Sequence, residues 1–143
     1  YSRSAGADTA ARWNANTFAN NQFAQCTLLA LSVDNIAIGV SLRCSPSAVT
    51  YYFAYAFRNG PPNIDVEIAK YVAGTYTTLT TVSGYVVSDV LRLEVVGTTL
   101  TLKKNGTIQT TVTDSSISSG YAGISGFGNS TSGRLDDWSG GDL

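Results

Sequence analysis

Few residues in this chain could do chemistry. The densest set is Asn63-Ile64-Asp65-Val66-Glu67, where polar groups alternate with apolar ones. On a strand, this spacing sends Asn63, Asp65 and Glu67 to one face. Acids alternating in this way can place a nucleophile and an acid/base around one glycosidic bond, and a retaining pair needs carboxyls about 5–5.5 Å apart. Here the first position is an amide, which cannot attack, and Pro61-Pro62 stands beside it. The acid pattern is therefore expected to be a chance resemblance, at a sheet margin and not mid-sheet, with Asp65 and Glu67 facing outward, and the chain is not expected to be an enzyme. Histidine is absent. That excludes Ser-His-Asp and Cys-His chemistry and removes the usual nitrogen ligand of a zinc site.

A second set is Arg43, Tyr52, Arg92 and Glu94, which share one sheet face if their strands are neighbours. Arg58 alternates in phase with Tyr52. These five are the candidate ligand-binding residues. The plainer alternative is a solvated face with an ion pair, worth little to stability. Calcium is a possible cofactor, with Asp114, Asp136 and Asp137 as candidates and Asp142 nearby in sequence. A calcium site needs several oxygens converging on one point. Adjacent acids on a strand point to opposite faces, so Asp136-Asp137 alone does not make one.

The 143 residues suffice for one domain, 1–143, and 43% are hydrophobic, enough for a core. Charged residues are only 13%, about half the usual share. The polar surface must come from Ser, Thr, Asn and Gly, a composition common in extracellular, cell-surface and virion-surface proteins. Net charge is −1 and Lys103-Lys104 is an isolated basic pair. Nucleic acid is thus not an expected partner, because phosphate binding needs a positive footprint. No apolar run approaches the roughly 20 residues of a membrane span. The chain opens on Tyr1 and has no methionine, as expected of a processed protein or an excised domain.

The elements that must position these residues are strands. In Val90–Val96, Leu91, Leu93 and Val95 alternate with Arg92 and Glu94. Thr98–Lys104 alternates Leu100 and Leu102 with polar residues. Asn105-Gly106 follows, then Thr107–Thr113, with Ile108 and Val112 expected on one face. Asn-Gly between two such runs is a strong hairpin signal, since a type I′ turn needs positive φ at both central residues. Asp89–Thr113 is therefore expected as a three-stranded antiparallel meander.

Upstream, Thr9–Trp13 is expected as a strand placing Trp13 inward. Gln22–Val33 and Ile36–Cys44 are expected to pair through an Asp34-Asn35 turn. That register sets Cys26 opposite Cys44, within disulfide reach; two buried free thiols are the alternative. In Val49–Arg58, Tyr51, Phe53, Tyr55 and Phe57 share one face, expected to be core, and Tyr52 and Arg58 the other. Ile64–Tyr71 should bury Ile64, Val66 and Ile68. Gly74–Val82, Tyr121–Phe127 and Leu135–Trp138 complete about ten strands with no substantial helix. Regular turns favour an all-β antiparallel β-sandwich.

The segments LRLEVVGTTLTLKKNGT, TDSSISSGYAGI and LDDWSGGDL resemble the concanavalin A-like lectin/glucanase superfamily, in its laminin-G-like bacterial and phage branch. The resemblance runs from Phe18 to the end. It implies a jelly-roll sandwich that binds carbohydrate or a protein surface, as a non-enzymatic adhesion module outside the cell or on a virion. The alternative is a structural subunit of a filament, surface layer or phage particle. Such domains usually carry a further N-terminal strand. Its apparent lack here implies an open sheet edge, through which the chain would self-assemble.

Overall fold

The computed structural model describes residues 9–31, 36–58, 60, 63–128 and 133–143. Eleven strands and no helix are present among them. In order they are β1 (Thr9–Arg12), β2 (Gln22–Leu31), β3 (Ala37–Cys44), β4 (Tyr51–Arg58), β5 (Ile64–Val72) and β6 (Thr75–Tyr85). Then follow β7 (Val90–Val96), β8 (Thr99–Lys104), β9 (Thr107–Thr113), β10 (Tyr121–Phe127) and β11 (Gly133–Asp142). They form two antiparallel sheets, a six-stranded one ordered β1-β10-β3-β4-β5-β6 and a five-stranded one ordered β11-β2-β7-β8-β9. The all-β sandwich expected from the alternation is the fold.

The expected meander is β7-β8-β9. Leu93 lies opposite Leu102, and Leu100 opposite Val112. Asn105 and Gly106 have φ of 51° and 83°, the positive pair that a type I′ turn requires. One detail differs. A bulge between Leu102 and Lys103 adds a residue to β9, so Ile108 lies opposite Lys103 and Thr110 opposite Leu102. One extra residue reverses which side chains face inward. Val112 packs on the core while Ile108 is 59% exposed.

The inner faces of both sheets form one core. Cys26, Leu28, Leu91, Leu93, Leu100 and Leu102 come from the five-stranded sheet; Val40, Leu42, Tyr52, Ala54, Val66 and Ile68 come from the other. Ile64, Val66 and Ile68 are buried as expected. Beside the edge strands β1 and β11, Trp13 stacks on Trp138 at 6.0 Å between ring centroids. Trp13 is not inward: it falls just past β1 and is 49% exposed. Residues 1–8, where the missing strand would begin, lie outside the described residues, as do the Asp34-Asn35 and Pro61-Pro62 turns.

The expected β2–β3 hairpin does not exist. β2 pairs with β7 and β11, and β3 pairs with β4 and β10, in the opposite sheet. Both strands carry a strong inward apolar row, which satisfies each other's burial across the core as well as it would within a sheet. The expected disulfide falls with the hairpin. Cys26 lies opposite Leu91 and faces the core; Cys44 lies opposite Tyr121 and packs with Tyr51, Phe53 and Ala69. Both are free thiols. Burial pushes Cys26 up to about 12 and Cys44 up to about 11, so neither is a nucleophilic thiolate at neutral pH.

Candidate functional site

The phase of β4 reverses the expected reading of that strand. Tyr52, Ala54 and Ala56 point into the sandwich, each fully buried. Tyr51, Phe53, Tyr55 and Phe57 therefore cover the outer face of the six-stranded sheet. The strand is apolar on both sides, so periodicity alone could not choose between them. Small inward alanines let the opposing sheet approach closely, and the rings go where there is room.

On that outer face the rings build a second apolar cluster, separate from the core, with Tyr51, Phe53, Ala69 and Cys44 at its base and Tyr55, Tyr71 and Tyr121 packed against it. Phe53 is the hub. It stacks on Tyr55 at 4.7 Å and on Tyr71 at 5.8 Å, and contacts Tyr51 at 5.5 Å and Tyr76 at 6.2 Å. Tyr71 meets Tyr76 edge-on at 5.5 Å, and Tyr55 meets Phe57 likewise at 6.5 Å. Each such pair adds about 0.5–1.5 kcal/mol beyond area burial. Phe53 is 1% exposed, so the tyrosines form the surface above it; Tyr76 is 40% exposed.

β5 sets its acids into this surface. Asp65 lies opposite Phe57, and Glu67 opposite Tyr55. Directly opposed residues share a face, so both carboxylates stand among the rings. The hydroxyl of Tyr76 donates to Glu67 Oε1, as does that of Thr78 at 3.2 Å. Burial, then the Glu67 contact, raise the Tyr76 phenol above its ordinary value, so Tyr76 stays a donor at neutral pH. The expectation that the 63–67 run lies at a sheet margin is corrected: β5 is hydrogen-bonded on both sides, to β4 and β6. Only Asn63 lies outside the strand.

Beside the aromatic cluster, β3 and β10 carry small residues. Opposite Tyr55 on β3 is Gly39, and opposite Phe53 is Ser41. On β10, Ser125 pairs with Gly39 and Gly123 with Ser41. At Gly39 a Cβ would stand 2.0 Å from the Ala54 carbonyl oxygen, so β3 and β4 hold this approach only with glycine there. Gly39, Ser41, Gly123 and Ser125 are all buried beside the rings.

The five candidate binding residues do not come together. Tyr52 is a core residue whose hydroxyl emerges at one end of the sandwich. It donates to Asp114 Oδ1 at 2.6 Å and accepts from the Ile117 amide at 3.0 Å. Burial, with the Asp114 bond, pushes its phenol up to about 12. Arg43 is 2% exposed with φ of 50°. Its guanidinium donates to the carbonyls of Ile117 at 2.6 Å, Asn20 at 2.7 Å and Gly97 at 2.8 Å. It ties three connecting segments together and has no room for a ligand. Arg58, at the far end of β4, donates to the Leu31 carbonyl.

Only Arg92 and Glu94 share a surface, the outer face of the five-stranded sheet. Arg92 Nε lies 2.6 Å and Lys103 Nζ 2.8 Å from Glu94 Oε1. The Arg92 guanidinium sits 3.7 Å over the Phe23 ring and donates to Gln25 at 3.0 Å. Partial burial alone would raise the Glu94 carboxyl, but the hydrogen bonds from Lys103 and Arg92 prevail and hold it below its ordinary value.

The calcium candidates are also dispersed. Asp114 is paired with Lys70 and accepts from Tyr52 and from the Ser116 amide. Burial opposes its charge, yet these donors hold its carboxyl well below the usual range. Asp136 Oδ1 accepts from the Asp137 amide at 2.9 Å, and Asp142 Oδ1 from the Ala19 amide at 2.8 Å. Among the described residues no three acids, cysteines or histidines converge on one point.

No protein-family model matches the sequence, and no curated protein matches it. Solved structures do match in fold. The carbohydrate-binding module CBM66 from Bacillus subtilis superimposes with a TM-score of 0.74 at 15% identity, covering 98% of this chain and 84% of that one. Sheep galectin-11, in a complex with glycerol, matches with a TM-score of 0.62 at 9% identity, covering 97% and 99%. A β-glucanase of Bacillus licheniformis matches with a TM-score of 0.62 at 9% identity, covering 90% and 69%. All three are concanavalin A-like jelly rolls, and this chain shares with them a two-sheet antiparallel sandwich consistent with a jelly roll.

Proposed function

We propose that this chain is a non-catalytic carbohydrate-binding module, and that it binds saccharide on the outer face of its six-stranded sheet. One observation carries the reading: Tyr55, Tyr71 and Tyr76 surface an aromatic cluster that has Glu67 within it. A sugar ring presents apolar C–H faces and equatorial hydroxyls. Tyrosine faces meet the former, and a carboxylate with surrounding hydroxyls meets the latter, as small-ligand sites combine apolar walls with a few polar groups. The similarity of fold to a carbohydrate-binding module and to galectins supports the reading.

Catalysis is not part of it. The alternating-acid pattern lacks its first carboxylate at Asn63, and Glu67 is engaged by the Tyr76 and Thr78 hydroxyls. The Ser/Thr-rich, charge-poor composition supports a setting outside the cell. The test is a glycan array probed with the native protein and with Tyr76→Ala. The native protein should label a restricted set of saccharides, and Tyr76→Ala should weaken those signals about tenfold. An array with no hits for the native protein would sink the reading.

A further inference from the structure

The aromatic face does not end at Tyr51. Beyond that ring, between β1 and the segment joining β3 to β4, lies an open cavity of roughly 400 Å³. Its size falls within the range of small-ligand sites. Arg12, Asn14, Ser45, Ser47 and Ala48 line it together with Tyr51. We propose that this cavity binds a carboxylate-bearing sugar, such as a terminal uronic acid, with Arg12 as its anion-binding group. The inference rests on the carbohydrate reading of the adjoining face and names what its Tyr51 end selects.

Charge carries the point. Among the described residues, Arg12 is the cavity's one cationic lining residue and no carboxylate lines it. Most other described cations are engaged: Arg92 and Lys103 on Glu94, Lys70 on Asp114, and Arg43, Arg58 and Lys104 on backbone carbonyls; Arg134, on β11, does not line this cavity. Arg12 forms no ion pair among the described residues. Its guanidinium carbon lies 4.8 Å from the centroid of the Tyr121 ring. Stacking of this kind fixes the plane of the group and leaves its in-plane N–H donors for an acceptor. A planar fork of donors matches a carboxylate in two parallel hydrogen bonds. The Ser45 and Ser47 hydroxyls and the Asn14 amide are suited to ring hydroxyls.

The opposite end of the face has the opposite sign. Asp65 and Glu67 lie on β5 among Phe57, Tyr55 and Tyr76. An acidic sugar placed there would meet like charge, so it is steered to the Arg12 end. A neutral continuation of the chain would then lie over the rings.

The experiment is a nitrogen-15 NMR titration of the whole chain with sodium glucuronate and, separately, with glucose. Glucuronate should shift the Arg12 Nε–H signal and the amides of Asn14 and Ser45–Ala48 saturably. Glucose should bind that end at least tenfold more weakly, the loss expected when a charged hydrogen bond is removed. Arg12→Gln, whose spectrum should otherwise superimpose on the native one, should abolish the preference for glucuronate. If glucose moves the Tyr71–Tyr76 amides while glucuronate leaves Arg12 still, this inference alone fails. If neither sugar moves any signal, the carbohydrate reading fails with it. Equal glucuronate affinity in native protein and Arg12→Gln also overturns the assignment.

Discussion

The two outer faces of this sandwich are made by the same rule and do opposite things. Both alternate strictly with the core residues behind them. On the five-stranded sheet the outward row is Phe23, Gln25, Arg92, Glu94, Thr101 and Lys103, and its charges are consumed internally around Glu94. On the six-stranded sheet the outward row is Tyr51, Phe53, Tyr55, Phe57, Tyr71 and Tyr76, with the acids Asp65 and Glu67 among them; the cations of β4 and β5, Arg58 and Lys70, alternate with this row, in phase with Tyr52. A face whose two cations are both held on one carboxylate, with the Phe23 ring under a guanidinium, offers a ligand little. A face of packed rings with carboxylates offers it surface and acceptors. The comparison shows that burial does not separate core from site here. Phe53 is as buried as a core residue, yet its function is to hold a surface in place.

The largest test of that contrast is to remove the hub of one face and the ring of the other. Phe53→Ala should cost about 3–5 kcal/mol, the usual penalty for deleting a buried phenyl ring. Phe23→Ala should cost about 1 kcal/mol, since it loses one guanidinium stack and partial burial. Urea denaturation of both variants checks the ordering. Equal costs would mean that the rings around Phe53 are not a packed unit.

Much of the fold was legible because the meander satisfies several rules at once. Leu91, Leu93 and Val95 alternate, Asn105-Gly106 demands a type I′ turn, and both agree with two stacked sheets. The separation of β2 and β3 into opposite sheets was not legible, because Cys26, Leu28, Val40 and Leu42 bury equally well side by side or across a core. The site was hidden by the opposite problem. Val49–Arg58 has apolar residues on both faces, so alternation gives no direction. A signal did exist in its neighbour. Asp65 and Glu67 must face outward, and a hairpin centred on Pro61 sets Tyr55 opposite Glu67, hence outward too. Arg43 and Tyr52 could not have been placed from sequence, because their partners are the backbone of Asn20, Gly97 and Ile117 and the side chain of Asp114, all remote in the chain.

A middle-sized effect comes from acid. The Glu94 carboxyl is held below its ordinary value in the folded chain. Its contribution is therefore complete above the unfolded value of about 4.3 and is lost as pH falls through the folded one. Its side chain is 14% exposed, and the network should be worth about 1 kcal/mol. Stability measured between about pH 6 and pH 3 should fall by that much more in the native chain than in Glu94→Gln. Parallel curves would show that the ion pairs on this face contribute nothing.

The smallest effect on stability is the sharpest probe of the aromatic face. Tyr76→Phe keeps the ring over Phe53 and removes only the hydroxyl that donates to Glu67. Tyr76 is partly in water, so the loss should stay within about 0.5 kcal/mol. Thr78 then remains as a donor to that Glu67 oxygen, and the lone pair freed by the change is open to a ligand hydroxyl. If Glu67 accepts from the saccharide, binding should hold or tighten in Tyr76→Phe while it weakens about tenfold in Tyr76→Ala. If the Tyr76 hydroxyl itself contacts the sugar, both variants should weaken alike. Calorimetric titration of the two variants with one array-identified glycan separates these outcomes, and it does so at unchanged stability, where the five-stranded face offers no counterpart.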